Sequence, residues 1–141
     1  MTGIMAKFEI AYERTAKFEG GYVYDPNDNG GETYAGISRK ANPSWDGWKI
    51  VDDYKKKYKN FKDYLKKDST LKQKVMSLYR SNYWNPVWGD SIRKQEVANE
   101  LYDFAVNAGV AISIKLQQRQ FKMKETGKMS TALLSKLNSV I

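Results

Sequence analysis

The chain has no cysteine and no histidine, and these two absences remove most familiar catalytic machinery. Without cysteine there is no disulfide and no thiolate nucleophile. Without either residue there is no Ser-His-Asp triad and no ordinary zinc site. An enzyme made of this chain alone must do its acid–base chemistry with Asp, Glu, Lys or Tyr. No stretch approaches the roughly 18 apolar residues of a membrane span, so stable membrane insertion is not expected. The N-terminal run MTGIMAKFEIAYERTAKFEGG has no continuous apolar region and no small-residue cleavage site, so it does not read as a secretory signal. The expectation is a protein made in the cytoplasm, which needs some other route to any target beyond the membrane.

What is present suits one folded unit. The chain has 141 residues, 41% hydrophobic and 13% aromatic, enough to bury a full core without staples. Repeats, low-complexity linkers and a second-domain boundary are lacking, and nothing argues for an oligomer, so a monomer is expected. The net charge of +8 favours anionic partners such as nucleic acid, anionic lipid or cell-wall polymer. Charge alone does not choose among them.

Met5, Phe8, Ala11, Tyr12, Thr15 and Phe18 follow helical spacing, and Gly20 and Gly21 are placed to stop that helix with Glu19 on its last turn. From Tyr22 to Gly36, turn formers separate aromatic and β-branched positions, which predicts a small β-hairpin. Ile37 to Asn42 reads as a short helical start ended before Pro43. Tyr54, Tyr58, Phe61 and Leu65 share one helical stripe, and Asp68 or Ser69 can cap a further helix that ends before Pro86. Val97, Leu101, Phe104 and Ala105 mark another helix; Ile112 to Gln120 continues after Gly109, and Ser130 caps a last one. The class is mainly α with one small β element (α+β).

Between Lys49 and Lys74 there are ten Lys and four Asp, so +6 of the net charge lies in one stretch. Lysines interleaved with aromatics suit nucleic acid. At helical spacing, however, the aromatic stripe faces a core while the lysines solvate the other side, and no nucleic-acid-binding motif accompanies them. A nucleic-acid partner is therefore not expected; the basic face would instead hold the protein near an anionic surface. Asp25, Asn27, Asn29 and Gly30 copy the first half of an EF-hand loop, but the bidentate Glu of its last position is replaced by Gly36. A hairpin turn accounts for these residues, and no metal is expected.

The sharper constellation is Glu19, Asp28 and Thr33. A hairpin folding back over its parent helix would gather the three around one cleft, with Tyr22, Tyr24 and Tyr34 nearby and Tyr83, Trp84 and Trp88 available from farther along. A carboxyl group against apolar walls has a raised pKa and serves as a general acid. An acid together with a polar group that places a water is what glycosidic hydrolysis requires. That chemistry needs no cofactor.

The run Glu19-Gly20-Gly21-Tyr22-Val23, followed by Asp25-Pro26-x-Asp28-x-Gly30-Gly31-x-Thr33-x-x-Gly36-Ile37, resembles the signature of glycoside hydrolase family 108, N-acetylmuramidases of the lysozyme superfamily found among phage endolysins and secretion-activating proteins. Tyr79-Arg80-x-x-Tyr83-Trp84 agrees. So does Asp103-Phe104-Ala105-Val106-Asn107-Ala108-Gly109 followed by Leu116-Gln117, which resembles that family's peptidoglycan-associated region.

The resemblance implies one lysozyme-like domain over residues 1–141. Its catalytic helix, hairpin and basic helices would occupy 1–90, with a helical peptidoglycan-associated region, 91–141, packed on them. It implies cleavage of the β-1,4 bond between N-acetylmuramic acid and N-acetylglucosamine in peptidoglycan glycan strands, with Glu19 as general acid. Asp28 and Thr33 look like the other members of the phage-type Glu, Asp, Thr set. Thr33 lies one residue closer to the Asp than in that pattern, which leaves the second role open between Asp28 and Asp25; Asp25, beside Pro26, has turn initiation as a sufficient role, so Asp28 is preferred. Tyr22, Tyr34, Tyr83 and Trp84 would line the saccharide cleft, and Asn107 either binds sugar or caps its helix. The basic stretch from Lys49 to Lys67 is longer than the resemblance leads one to expect and is assigned no catalytic role. Phe121 to Ile141 keeps only a trace of the pattern, in Gly127 and Thr131-x-Leu133. Such a protein would reach the periplasm or exterior by holin-type or other release. The alternatives are a wall-binding module of the same fold without turnover, and a lytic transglycosylase.

Overall fold

The structure is a computed structural model and describes residues 4–16, 21–27 and 31–139. The chain packs as two compact units: one is Phe18–Leu78, and the other joins Met1–Lys17 to Tyr79–Ile141.

In the unit Phe18–Leu78, three short strands, β1 (Tyr22–Tyr24), β2 (Glu32–Tyr34) and β3 (Ile37–Ser38), form an antiparallel sheet in chain order. Tyr22 opposes Tyr34, which opposes Ile37; Val23 opposes Thr33, which opposes Ser38; Tyr24 opposes Glu32. Because side chains alternate along a strand, Tyr22, Tyr24, Glu32, Tyr34 and Ile37 share one face, and Val23, Thr33 and Ser38 share the other. The expected hairpin is present. The helical start expected at Ile37 is not: Ile37 and Ser38 extend the sheet. Ala35 and Gly36, with φ of 51° and 80°, make the two-residue turn that brings them back, the left-handed pair that matches strand twist. Ile37 is thereby buried.

The single stripe expected through Tyr54, Tyr58, Phe61 and Leu65 is divided between two helices, α2 (Gly47–Lys57) and α3 (Phe61–Lys67). Tyr58 is extended, with φ −135° and ψ 139°. A straight helix would have carried Phe61 and Leu65 away from the sheet. The break turns them onto it, so Phe61 meets the Tyr22 ring edge-on at 5.1 Å and Leu65 is 1% exposed. Lys55, Lys56 and Lys57 fall in the last turn of α2, where cations suit the partial negative charge of a helix C-terminus. Asp68 caps α4 (Ser69–Tyr79), its side chain accepting the Leu71 N–H at 2.8 Å. Trp48, Val51, Leu65, Leu71 and Val75 are the buried apolar residues of these helices.

In the other unit, α1 (Phe8–Thr15) packs on α5 (Gln95–Ala108). The Lys7 N–H donates to Gln95 Oε1 at 2.8 Å, Gln95 Nε2 donates back to the Lys7 carbonyl at 3.1 Å, and Thr15 Oγ1 donates to Asp103 Oδ1 at 2.9 Å. The helix closes at Thr15, ahead of Gly20 and Gly21, where the sequence places its stop; Glu19 and Gly20 lie outside the described residues. After α4 comes a π-helical turn at Arg80–Trp84, then 3-10 turns at Asn85–Val87 and Gly89–Ser91. Gly109, at φ +104°, separates α5 from α6 (Val110–Gln120), a conformation open to glycine. Ser130 caps α7 (Thr131–Asn138), its Oγ accepting the Leu133 N–H at 3.2 Å. Phe8, Trp84, Tyr102, Ile114, Leu133 and Leu137 are buried here, whereas Phe104, expected on the inner stripe of α5, is 48% exposed.

Candidate active site

Thr33 lies in the middle strand on the sheet face it shares with Val23 and Ser38. The opposite face is covered by α2 and α3: Lys55 and Phe61 reach Tyr22, Arg39 bridges to Asp52, and the Tyr34 hydroxyl donates to the Leu65 carbonyl at 3.4 Å. Thr33 therefore presents its hydroxyl away from those helices. Glu19 and Asp28 lie outside the described residues; in the chain they precede and follow β1. Asp25, just past β1, is exposed, and its Oδ1 accepts the Asn27 backbone N–H at 2.9 Å. That is an Asx turn, the local role its place before Pro26 suggested.

Among the described residues of this unit, the carboxylate with the most hydrogen-bond partners is one that the sequence patterns do not single out. Glu32, next to Thr33 but on the other face, has its side chain 13% exposed. It accepts from the Tyr22 hydroxyl at 2.6 Å, from Lys55 Nζ at 3.0 Å and from Arg39 at 2.9 Å. Arg39 also makes a two-pronged pair with Asp52 at 2.8 and 2.7 Å. Burial raises the Glu32 pKa, but the hydrogen bonds from Tyr22, Lys55 and Arg39 outweigh it and hold the carboxyl below its ordinary value. The alternation Glu32-x-Tyr34, set beside a lysine-rich segment, was the signal that could have found it.

The aromatic residues expected around a saccharide fall in both units, two in each. Tyr22 and Tyr34 occupy the helix-covered face of the sheet, opposite Thr33. Tyr22 is held between Glu32, the edge of Phe61 and the ammonium of Lys55, 5.4 Å from its ring centroid. Trp84 is corrected outright: it is 0% exposed, ringed by Phe8 at 5.7 Å and Tyr102 at 6.1 Å, with its indole N–H donating to Asp90 at 2.9 Å. It is a core residue with no surface to offer a sugar. Tyr83 is half-buried, its ring 5.6 Å from that of Tyr79, whose hydroxyl burial pushes up to about 12. Asn107 is exposed, and its Nδ2 donates to the Asp103 carbonyl one turn back at 2.8 Å. Among the described residues no cluster of three or more Asp and Glu could hold a metal ion.

The sequence profile of the family Glycosyl hydrolase 108 matches residues 12–109, most of the chain. The chain belongs to glycosyl hydrolase family 108. Among solved structures it is similar to Brucella abortus SagA, with 30% identity and a TM-score of 0.65 over 95% of this chain and 70% of that one. No curated protein matches it. The mainly helical, lysozyme-like class with a small antiparallel sheet, expected from the sequence, is the class found.

The family 108 match encloses every residue considered for the site: Glu19, Tyr22, Asp25, Asp28, Thr33, Tyr34, Tyr83, Trp84 and Asn107. All of α6 and α7 lie beyond it. Membership assigns the chain to the glycosyl hydrolases and suggests a glycan as substrate. Among the described residues no helix is long and apolar enough to cross a membrane.

Proposed function

We propose that this family 108 member is a peptidoglycan muramidase that hydrolyses the β-1,4 bond after N-acetylmuramic acid, with Glu19 as general acid. The observation that carries the reading is the family match itself, which spans Glu19, Asp28 and Thr33 in one continuous segment. In the proposed reaction Glu19 gives its proton to the glycosidic oxygen as the C–O bond breaks. Asp28 stabilises the positive charge left on the sugar or takes a proton from the attacking water, and the Thr33 hydroxyl orients that water.

Two features of the sheet support these assignments. The Thr33 hydroxyl lies on the face that α2 and α3 do not cover. Glu32, the carboxylate adjacent to it, is bound by Lys55 and Arg39 and stays ionised, so it has no proton to give near neutral pH. Glu32 is therefore poorly suited to act as the acid, in keeping with a role for Glu19.

The test is release of reducing ends from purified peptidoglycan by the wild type and by Glu19→Gln. The isosteric amide cannot donate the proton, so the rate is expected to fall by about a hundred- to ten-thousand-fold with unchanged thermal unfolding. Wild-type turnover in Glu19→Gln would sink the mechanism. Anhydro-muramic ends in place of reducing ends would assign a lytic transglycosylase, and binding without cleavage on several wall types a wall-binding module.

A further inference from the structure

The break between α2 and α3 leaves a feature that the proposed reaction does not use. Tyr58 and Tyr64 stack with centroids 4.0 Å apart and planes at 16°, and Tyr54 joins Tyr64 at 5.6 Å and 18°. Tyr58 and Tyr64 are 39% and 37% exposed, although the same helix α3 turns Phe61 and Leu65 onto the sheet. The Tyr54 hydroxyl is fixed by Asp68 at 2.7 Å. Shallow pockets adjoin the stack. One, of about 340 Å³, is bounded by Asn60, Asp63, Tyr64, Lys66 and Lys67; the other, of about 470 Å³, includes Lys49, Asp53, Tyr54 and Asp68.

Few of the surrounding lysines are neutralised. Lys55 pairs with Glu32, Lys57 with Asp53 and Lys74 with Asp46. Lys56, Lys59, Lys66 and Lys67 are exposed and have no carboxylate partner within 4.0 Å among the described residues. The surface thus combines ring faces able to lie against the apolar face of a sugar with cations that attract scattered anionic groups.

We propose that the Tyr54–Tyr58–Tyr64 stack and its lysines form a second, non-catalytic binding surface for peptidoglycan, taking a stretch of glycan strand that carries the carboxylates of its peptide stems. The proposal rests on the wall-acting reading above. The patch belongs to the helices that cover the sheet face opposite Thr33, so it engages a different part of the wall from the bond being cleaved. Peptide-stem carboxylates are sparse along a glycan strand, which tolerates Asp53, Asp63 and Asp68 among the lysines. A nucleic-acid duplex, with a phosphate every ~1.7 Å of axis, fits such a mixed surface poorly.

The test is retention of the full chain on purified sacculi by co-sedimentation, and on the same glycan strands coupled to beads after an amidase has removed the peptide stems. Glu19→Gln serves as the background, so that the wall stays intact. Replacing Lys56, Lys59, Lys66 and Lys67 together by Gln is expected to weaken retention on intact sacculi by about tenfold and to leave retention on stem-free strands unchanged. Tyr64→Ala is expected to weaken both. Circular dichroism of each variant should match the parent. The proposal is overturned by equal retention of the lysine variant on intact sacculi, by full retention of the parent on stem-free strands, by unaltered binding of Tyr64→Ala, or by tighter binding to DNA than to sacculi. Reducing-end release by the wild type is measured in parallel: its absence counts against the muramidase reading alone, because retention is scored without cleavage.

Discussion

Asp25 accepts the Asn27 N–H, and an asparagine in its place keeps an oxygen able to do the same. Asp25→Asn is therefore expected to fold normally and retain most of the wild-type hydrolysis. If Asp28 holds the charged second role, Asp28→Asn should lower the rate by about a hundredfold or more, the order associated with a lost acid–base or charge-stabilising group. Reducing-end assays on the two variants side by side decide the point, and the reverse ranking would transfer the role to Asp25. Single residues also show where sequence reasoning ran out. A tryptophan next to a tyrosine in a hydrolase motif reads as a sugar platform, yet Trp84 is enclosed by Phe8, Tyr102 and the Asp90 carboxylate. Its chemistry is the same in either setting; only the packing of α1 and α5 around it distinguishes them, and that packing is non-local.

The helices were legible from their apolar spacing, and the hairpin from its turn formers, because both signals are local. The two misread elements, Ile37–Ser38 and the break at Tyr58, were decided instead by the sheet. A third strand forms because Ala35 and Gly36 adopt a left-handed pair, and α3 turns because Phe61 and Leu65 are needed against β1 and β2. Glu32 then fixes β2 to its surroundings through Arg39 and Lys55, and Arg39 extends the tie to Asp52 of α2. Both carboxyls are held below their ordinary values: Glu32 by Tyr22, Lys55 and Arg39 against the effect of burial, and Asp52 by Arg39. A lowered folded-state pKa means that the folded protein gives up its carboxylate charge only at more acidic pH than the unfolded chain. The stabilisation is complete above the unfolded value, near 4.5 for Glu32, and is lost as the pH falls through the folded one. Thermal unfolding followed from pH 7 down to pH ~3 should show the melting temperature dropping below about pH 4.5, with a shallower drop in Glu32→Gln. Equal slopes in both proteins would show that this network does not govern acid stability.

One unit is continuous in sequence and the other is not. Phe18–Leu78 interrupts a body assembled from Met1–Lys17 and Tyr79–Ile141, an arrangement no local pattern in the sequence announces. The family motif nominates a candidate site, but a linear motif does not say which face of the sheet Tyr22, Thr33 and Tyr34 would occupy. Helix α1 is only 8 residues long, and an isolated helix shorter than about 12 residues is marginal in water. Its partners Tyr79, Trp84, Tyr102 and Asp103 all lie in the later segment, as do Ile92 and Gln95, which hold Ala6 and Lys7 just ahead of it. A chain ended at Leu78 should therefore leave the amides of Phe8–Thr15 exchanging with solvent deuterium as an unfolded peptide does, whereas the full chain protects them. Protection of α1 in the shortened chain would contradict this dependence.

The same arrangement puts the protein on a clock. The contacts of Lys7 with Gln95 and of Thr15 with Asp103 each span 88 residues, and at roughly 5–20 residues per second a ribosome takes about 4–18 s to supply the missing partner. For that interval Phe8, 3% exposed in the finished protein, faces water and any other nascent apolar surface within reach.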